Sequence, residues 1–198
     1  MSTTLPSFAQ VTQVAGDSTT NTLVNGNLTD TCTSGLCQVT GGTQVGNSLF
    51  HSFEQFSVGS GDEVNFVGTG VGSIFTRVTG ASSFIDGTIS TTTGGVTDLF
   101  LLNPQGILFG ENATLDIDGS FIVTTADGIE FNNGAVFGVN SATPDLLSIS
   151  TPVGLQYGTS PGAIEVQGPG HQMSTNPFTG EFDRTNRPSG LAVDSGQS

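Results

Sequence analysis

Leu99-Phe-Leu-Leu-Asn-Pro-Gln-Gly-Ile-Leu-Phe-Gly110 decides how the rest of the chain reads. Two short apolar runs, Leu99–Leu102 and Ile107–Phe109, are joined by Asn103-Pro104-Gln105-Gly106. Pro presets φ, Gly accepts φ > 0, and the Asn carboxamide can bond the backbone of its own turn. The runs have strand length and no helical period. The segment is therefore strand, tight turn, strand.

The pattern recurs. Phe121 and Val123 follow Leu99 and Leu101 by 22 positions, Ile129 and Phe131 follow Ile107 and Phe109 by 22, and Ile85 precedes Ile107 by 22. Side chains two apart on a strand share a face. A repeat in the twenties built of short strands is the signature of a solenoid, in which each coil buries its face only against its neighbours. The segments between the strands are rich in Gly, Ser, Thr and Asn and carry no apolar helical stripe, which argues against helical leucine-rich repeats. The fold class expected is all-β, a β-helix.

Composition agrees. The chain of 198 residues contains 29 Gly, no Trp and no Lys, and only 10% of it is charged, against about 25% in an ordinary domain. Thr, Val, Ile and Phe are the residues of strands. Seventeen acids face three Arg (Arg77, Arg184, Arg187), for a net charge of −14. Such a surface does not neutralise phosphates, so nucleic acid is excluded as a partner, and an anionic membrane is disfavoured. No apolar run is long enough to cross a bilayer as a helix. The two cysteines, Cys32 and Cys37, enclose Thr-Ser-Gly-Leu, and with no other thiol to compete they are expected to form a structural disulfide in an oxidising compartment. No metal and no cofactor is expected.

Along the chain, residues 1–10 read as the remnant of a signal peptide or an added tail. Residues 11–167 form the β-helix domain, with short strands at Val11–Val14 and Asn21–Asn25 in a cap over about 11–48; terminal units of solenoids are atypical caps that cover an edge. Ser48–Val58 is read as a strand, although Phe50, Phe53 and Phe56 also fit a helical turn. Further strands are expected at Glu63–Val67, Ser73–Gly80, Phe84–Ile89, Asp98–Leu102, Ile107–Phe109, Ala113–Ile117, Phe121–Thr125, Ile129–Phe131 and Ala135–Val139. Residues 82–137 are read as the regular coils. After Thr143-Pro144 the pattern loosens through Leu147–Ser150, Val153–Tyr157 and Ala163–Gln167. Residues 168–198 are an irregular segment, expected to lead into a missing downstream β-helix. Arg77 lies one repeat period before Leu99 and so falls in the inward register.

Asn47–Val58, Arg77-Val-Thr-Gly80, Ile85-Asp-Gly-Thr-Ile89 and Leu99–Gly110 followed by Asn112–Phe121 together resemble the two-partner secretion domain. This is the N-terminal haemagglutination-activity domain of filamentous-haemagglutinin-like exoproteins, and the resemblance runs from about Val11 to Tyr157. It implies a right-handed parallel β-helix with an N-terminal cap and extra-helical strands. It also implies a secretion signal that nucleates folding after export. The implied partner is an outer-membrane TpsB-type β-barrel transporter that recognises the chain in the periplasm through its POTRA domains. The implied location is secreted or cell-surface, by way of the periplasm of a Gram-negative-type envelope, and the chain is expected to be a monomer. The family's Asn-Pro-Asn-Gly-Ile motif maps onto Asn103, Pro104, Gln105, Gly106 and Ile107, with Gln at its third position; a second motif, Asn-Pro-Asn-Leu, has no counterpart.

Two other functions compete with the secretion signal. One is an adhesion module whose solenoid face binds carbohydrate or a host protein. The other is a polysaccharide-active enzyme, for which Glu111, Asp116 and Asp118 are the nearest paired carboxylates. Asp116, Asp118 and Gly119 lack the rest of a calcium loop, and two acids on alternate outward positions is the plainer account. His51 is read as packed or hydrogen-bonded beside the cap, with no Ser/His/acid pattern around it, and His171 as exposed in the tail. Arg77 reads either as a buried ion-pair partner, for instance with Asp86 or Asp98, or as a strand-end surface charge, and the first is favoured because Arg suits buried bidentate pairs. Phe84, Phe109, Phe121 and Phe131 are expected to form an internal stack.

Overall fold

The computed structural model describes residues 11–141 and 151–168, together with residues 174–175, 179, 182–183 and 192–193. Residues 1–10, Leu147–Ser150 and His171 lie outside these. The first strands are β1 (Gln13–Gly16), β2 (Thr22–Val24), β3 (Thr31–Cys32), β4 (Leu36–Gly41), β5 (Thr43–Val45) and β6 (Ser48–Ser57). β1 runs antiparallel to both β3 and β6, β2 antiparallel to β4, and β5 folds back on the start of β6. These antiparallel pairings cap the solenoid and give its first edges a partner. Cys32 and Cys37 are joined in a disulfide across the loop between β3 and β4.

Parallel stacking begins with β4 and β6, at Leu36 and Ser48. It continues through β7 (Glu63–Val67), β8 (Ser73–Val78) and β9 (Ser83–Ile85), then β10 (Thr88–Thr92), β11 (Asp98–Leu102) and β12 (Ile107–Phe109), then β13 (Thr114–Asp116) and β14 (Phe121–Thr124). One wall is β6-β8-β11-β14, a second β4-β7-β10-β13, and the third holds β9 and β12. The stacked coils make a β-solenoid of about four turns, and the described residues contain no helix.

In-register pairing stacks like on like. Leu49, Ile74, Leu99 and Phe121 form one inward column, and Cys37, Val64, Ile89 and Leu115 another. All of these are buried in one continuous core except Phe121, which is partly buried and packs against it. Each such residue gains about 1.5–3 kcal/mol on burial, but only when a neighbouring coil is present to cover it. The aromatic run in β6 is resolved as strand. β1 skips Glu54, an extra residue that leaves Phe53 opposite Gly16 and Gln55 opposite Ala15. That bulge flips the alternation, so Phe53 and Phe56 both reach the core although they are three apart.

Several expected spacings give way. Among the inward columns only β11 and β14 keep the expected period, with Leu99 on Phe121. Leu99 faces Ile74 and Phe109 faces Ile85, both at longer separations than the repeat implies. Arg77 therefore faces Leu102 and Ser52 on the outer side of the wall, not the inward column. The stretch Phe84–Ile89 is two strands, because the chain turns at Asp86-Gly87 between the third wall and the second.

The largest departure follows β14. Ile129 and Phe131 do not stack on Ile107 and Phe109. The chain leaves the solenoid and forms an antiparallel sheet of β15 (Gly128–Phe131), β16 (Val136–Gly138) and β17 (Pro152–Gln156). It then returns as β18 (Ile164–Val166), which pairs parallel with β12 and puts Ile164 on Ile107. Farther along, Ser174–Thr175 pairs with Phe182–Asp183, and Ala192–Val193 adds to β13.

The antiparallel sheet covers an apolar ladder on the outside of the first wall. Phe50 stacks on Phe75 at 5.2 Å and Phe75 on Phe100 at 4.5 Å between ring centroids. Phe131 meets Phe75 edge-on at 5.2 Å and Phe137 meets Phe50 at 5.1 Å, an arrangement that suits the ring quadrupoles. The expected four-ring internal stack is thus divided. Phe109 and Phe121 meet inside at 6.2 Å, Phe131 belongs to the outer ladder, and Phe84 is half-buried between inward Ser83 and Ile85.

Candidate functional site

The segment Asn103–Ile107 is the corner between β11 and β12. Its carbonyl-to-amide closure runs from Gly106 N–H to Asn103 O at 3.1 Å, with Pro104 and Gln105 in the two central places. Gly106 has φ of +109°, which L side chains rarely adopt, and a β-carbon there would lie 3.0 Å from the Ala163 carbonyl. The backbone conformation favours glycine, and the close carbonyl adds to that preference.

Asn103 is fully buried, and both polar atoms of its side chain are engaged. Its Oδ1 accepts the Gln105 N–H at 3.0 Å, the local turn bond expected of Asn. Its Nδ2 donates to Ala81 O at 3.0 Å and to Ser83 Oγ at 2.9 Å, on the preceding coil. Its own N–H donates to Thr124 O at 3.0 Å, on the following one. One residue thus closes a turn and ties two coils together.

The corner is also roofed. Gly162 N–H donates to Pro104 O at 2.8 Å, and Ile107 N–H donates to Ala163 O at 2.9 Å. A β-carbon on Gly162 would collide with the Gly106 amide and the Gln105 carbonyl. Asn103, Pro104, Gly106 and Ile107 are buried, and Gln105 alone of the five is exposed. The Gln that stands at the third motif position therefore sits at the exposed point of the corner. The roof at Gly162-Ala163 was not foreseen, because it arrives after an excursion whose length no repeat period predicts.

Arg77 is buried at the outer face and does not pair with Asp86 or Asp98. Its Nε donates to Ser52 Oγ at 2.7 Å, one Nη to Thr19 Oγ1 at 2.9 Å, and the other to the carbonyls of Gly138 and of Ser141, the latter at 3.1 Å. Its guanidinium carbon lies 4.9 Å from the centre of the Phe137 ring. Asp17 supplies charge nearby and accepts Ser52 Oγ–H at 2.5 Å. The cap loop, two coils and the extra-helical sheet therefore converge on one cation.

Asp86 and Asp98 instead bond the next coil. Asp86 accepts the backbone N–H and side-chain amide of Asn112 at 2.9 and 3.1 Å, filling the space a β-carbon on Gly110 would take. Asp98 accepts Ser120 N–H at 2.8 Å. Glu111, Asp116 and Asp118 are exposed on the outside of the coil. Among the described residues, no group of three or more His, Cys, Asp or Glu side chains is placed to hold a metal ion.

A family model described as the TPS secretion domain matches residues 12–197. The chain belongs to that family. No curated protein and no solved structure matches the chain. TPS secretion domains are parts of exported exoproteins that work with a partner transporter of the two-partner system, and the family is not one of enzymes. The match takes in the cap, the coils, the extra-helical sheet and the roof over Asn103, so the corner lies within the matched residues.

Proposed function

We propose that this chain is the secretion-signal and folding-nucleation domain of a large exported exoprotein, acting without catalysis. The observation that carries this reading is the match of the TPS secretion domain model to residues 12–197, which takes in every coil of the solenoid. On this reading the outer-membrane TpsB-type transporter engages the chain through its periplasmic POTRA domains, and the exoprotein ends secreted or at the cell surface. Asn103, Pro104, Gln105, Gly106 and Ile107 serve as the secretion motif by way of folding. Four of the five are buried, so a partner touching the finished domain meets mainly the Gln105 side chain, whereas the unfolded chain offers all five. Once outside, closure of the Asn103 corner ties the coils on either side of it together, and that is the local step from which stacking proceeds. The Cys32–Cys37 bridge pins the cap loop in an oxidising compartment.

The test is deletion of residues 11–167 from the full-length exoprotein. Accumulation in the periplasm is the expected result. Normal export with loss of surface attachment would overturn the reading and make the solenoid an adhesion module.

A further inference from the structure

We propose that His51 makes closure of the N-terminal cap over the first coil depend on pH, the cap seating only on a neutral imidazole. His51 is carried by β6 with its ring turned into the bore, and it has no solvent exposure. Its Nδ1 lies 3.1 Å from Thr22 Oγ1 on cap strand β2. The ring centre is 5.7 Å from that of Phe66 and 6.3 Å from that of Phe53. Gly42 closes the remaining side, where a β-carbon would come within 2.8 Å of His51 Cε1. The histidine is thus the point at which the cap strand, the loop after β4 and the first coils meet.

A charged imidazole is a poor tenant of this place. Imidazolium has two N–H donors and needs an acceptor for each. Thr22 Oγ1 already accepts Ser52 N–H at 3.2 Å and lies 2.9 Å from Thr20 Oγ1. Nε2 has no hydrogen-bond partner, and neither does the hydroxyl of Thr76, the residue that faces His51 on the next coil. None of the charged groups on the surrounding elements offsets the charge. Glu54 on β6 is exposed, and Glu63 on β7 accepts Ser90 Oγ–H. Arg77 on β8 and Asp17 after β1 both bond Ser52, whose side chain lies on the opposite face of β6 from that of His51. Strands β2, β4 and β5 carry no titratable group besides the disulfide-bonded Cys37.

Burial accordingly pushes His51 down to about 3 from 6.5. The unfolded chain then binds the extra proton between those values, so His51 favours the folded state fully above about pH 6.5 and opposes it increasingly as pH falls below that. From this residue alone the folded-to-unfolded ratio drops roughly 25-fold between pH 7 and pH 5. Mild acid therefore biases the domain toward an open cap. The switch belongs to the folding equilibrium and stands whether or not the export reading does.

The test uses the whole chain. It contains two histidines, His51 and His171, so a ¹³Cε1-histidine NMR titration gives two signals, assigned with His171→Gln. Urea unfolding followed by far-UV circular dichroism at pH 7 and pH 5 is compared for the wild type and His51→Gln. The expected result is a His51 signal that does not titrate between pH 7.5 and 4.5 while the chain stays folded. The wild type is also expected to lose roughly 25-fold more in its folded-to-unfolded ratio than His51→Gln. A His51 signal titrating near 6.5 in the folded chain overturns the proposal, as do parallel losses in the two proteins. Should His51→Gln not fold, the wild-type NMR titration decides alone.

Discussion

The amide of Gly162 donates to the carbonyl of Pro104 at 2.8 Å, so a residue reached only after the extra-helical sheet closes a corner laid down between β11 and β12. The corner is complete only when the chain has left the solenoid and come back. A β-carbon on Gly162 would sit 2.5 Å from the Gln105 carbonyl carbon, with backbone on both sides and no flexible side chain to yield. Gly162→Val is therefore expected to cost about 1–3 kcal/mol by overpacking. Hydrogen exchange should show the loss at β18 and at the Gly106 and Ile107 amides first. Unchanged protection there would show that the roof does not hold the corner.

Asn103 and Gln105 stand two residues apart in the same turn and should behave oppositely. Asn103→Ala removes two inter-coil hydrogen bonds and the turn bond, and leaves Ser83 Oγ buried without that donor. A loss of about 2–3 kcal/mol is expected, read from urea midpoints. Gln105→Ala, at an exposed position, should stay within about 0.5 kcal/mol of wild type. If export is measured alongside, Asn103→Ala should lose secretion in step with stability. Full stability with lost secretion would assign the motif to direct contact.

Arg77→Lys tests the convergence of cap, coil and outer sheet. An ammonium has no planar fork, and it does not serve Ser52, Thr19 and the carbonyls of Gly138 and Ser141 together. A loss of about 2–4 kcal/mol is expected, with Arg77→Met no worse than Arg77→Lys, because the ammonium leaves a buried charge without its full set of partners. Thermal unfolding of the two variants beside wild type provides the comparison.

Much of this architecture was legible in the sequence, and the parts that were not share a cause. Alternation marks inward positions, so the strands from Glu63 to Thr124 and the tight turn at Asn103 were readable from side-chain type alone. Register is another matter. Coil length is set by corners such as Asp86-Gly87, and these vary. The spacing that is true of Leu99 and Phe121 therefore recurs at Ile129 and Phe131 only by coincidence. Apolar alternation at Ile129 and Phe131 is the same signal whether the strand lines a bore or covers an outer ladder. The partners of Arg77 come from Thr19, Ser52, Gly138 and Ser141, neutral oxygens that no charge pattern announces. Asp86 and Asp98, the acids that a charge pattern does announce, hold backbone amides instead.

Asp17 gives the acid limb of stability. Burial raises its carboxyl, but hydrogen bonds from the Ser52 and Thr19 hydroxyls and the Thr19 amide, with the Arg77 charge, outweigh that and hold it below the usual 3.8. Its contribution is present above the unfolded value and is lost as pH falls through the lower folded one. Asp17→Asn should therefore narrow its gap to wild type as the pH of urea unfolding is lowered from 5 toward 3. A gap independent of pH would show that the ionised form is not what the site favours.

On the proposed function, Asn103–Ile107 is a corner of the finished fold and a signal only while the chain is open. Fluorescence anisotropy follows a titration of the labelled chain, once folded and once held unfolded by Val64→Asp with Ile89→Asp, two unpaired charges placed in the core that leave Asn103–Ile107 intact, against the periplasmic domains of its partner transporter. Tighter binding of the unfolded chain is the expected result. Binding of the folded chain that is equal or tighter, and that is abolished by Gln105→Ala, would contradict it.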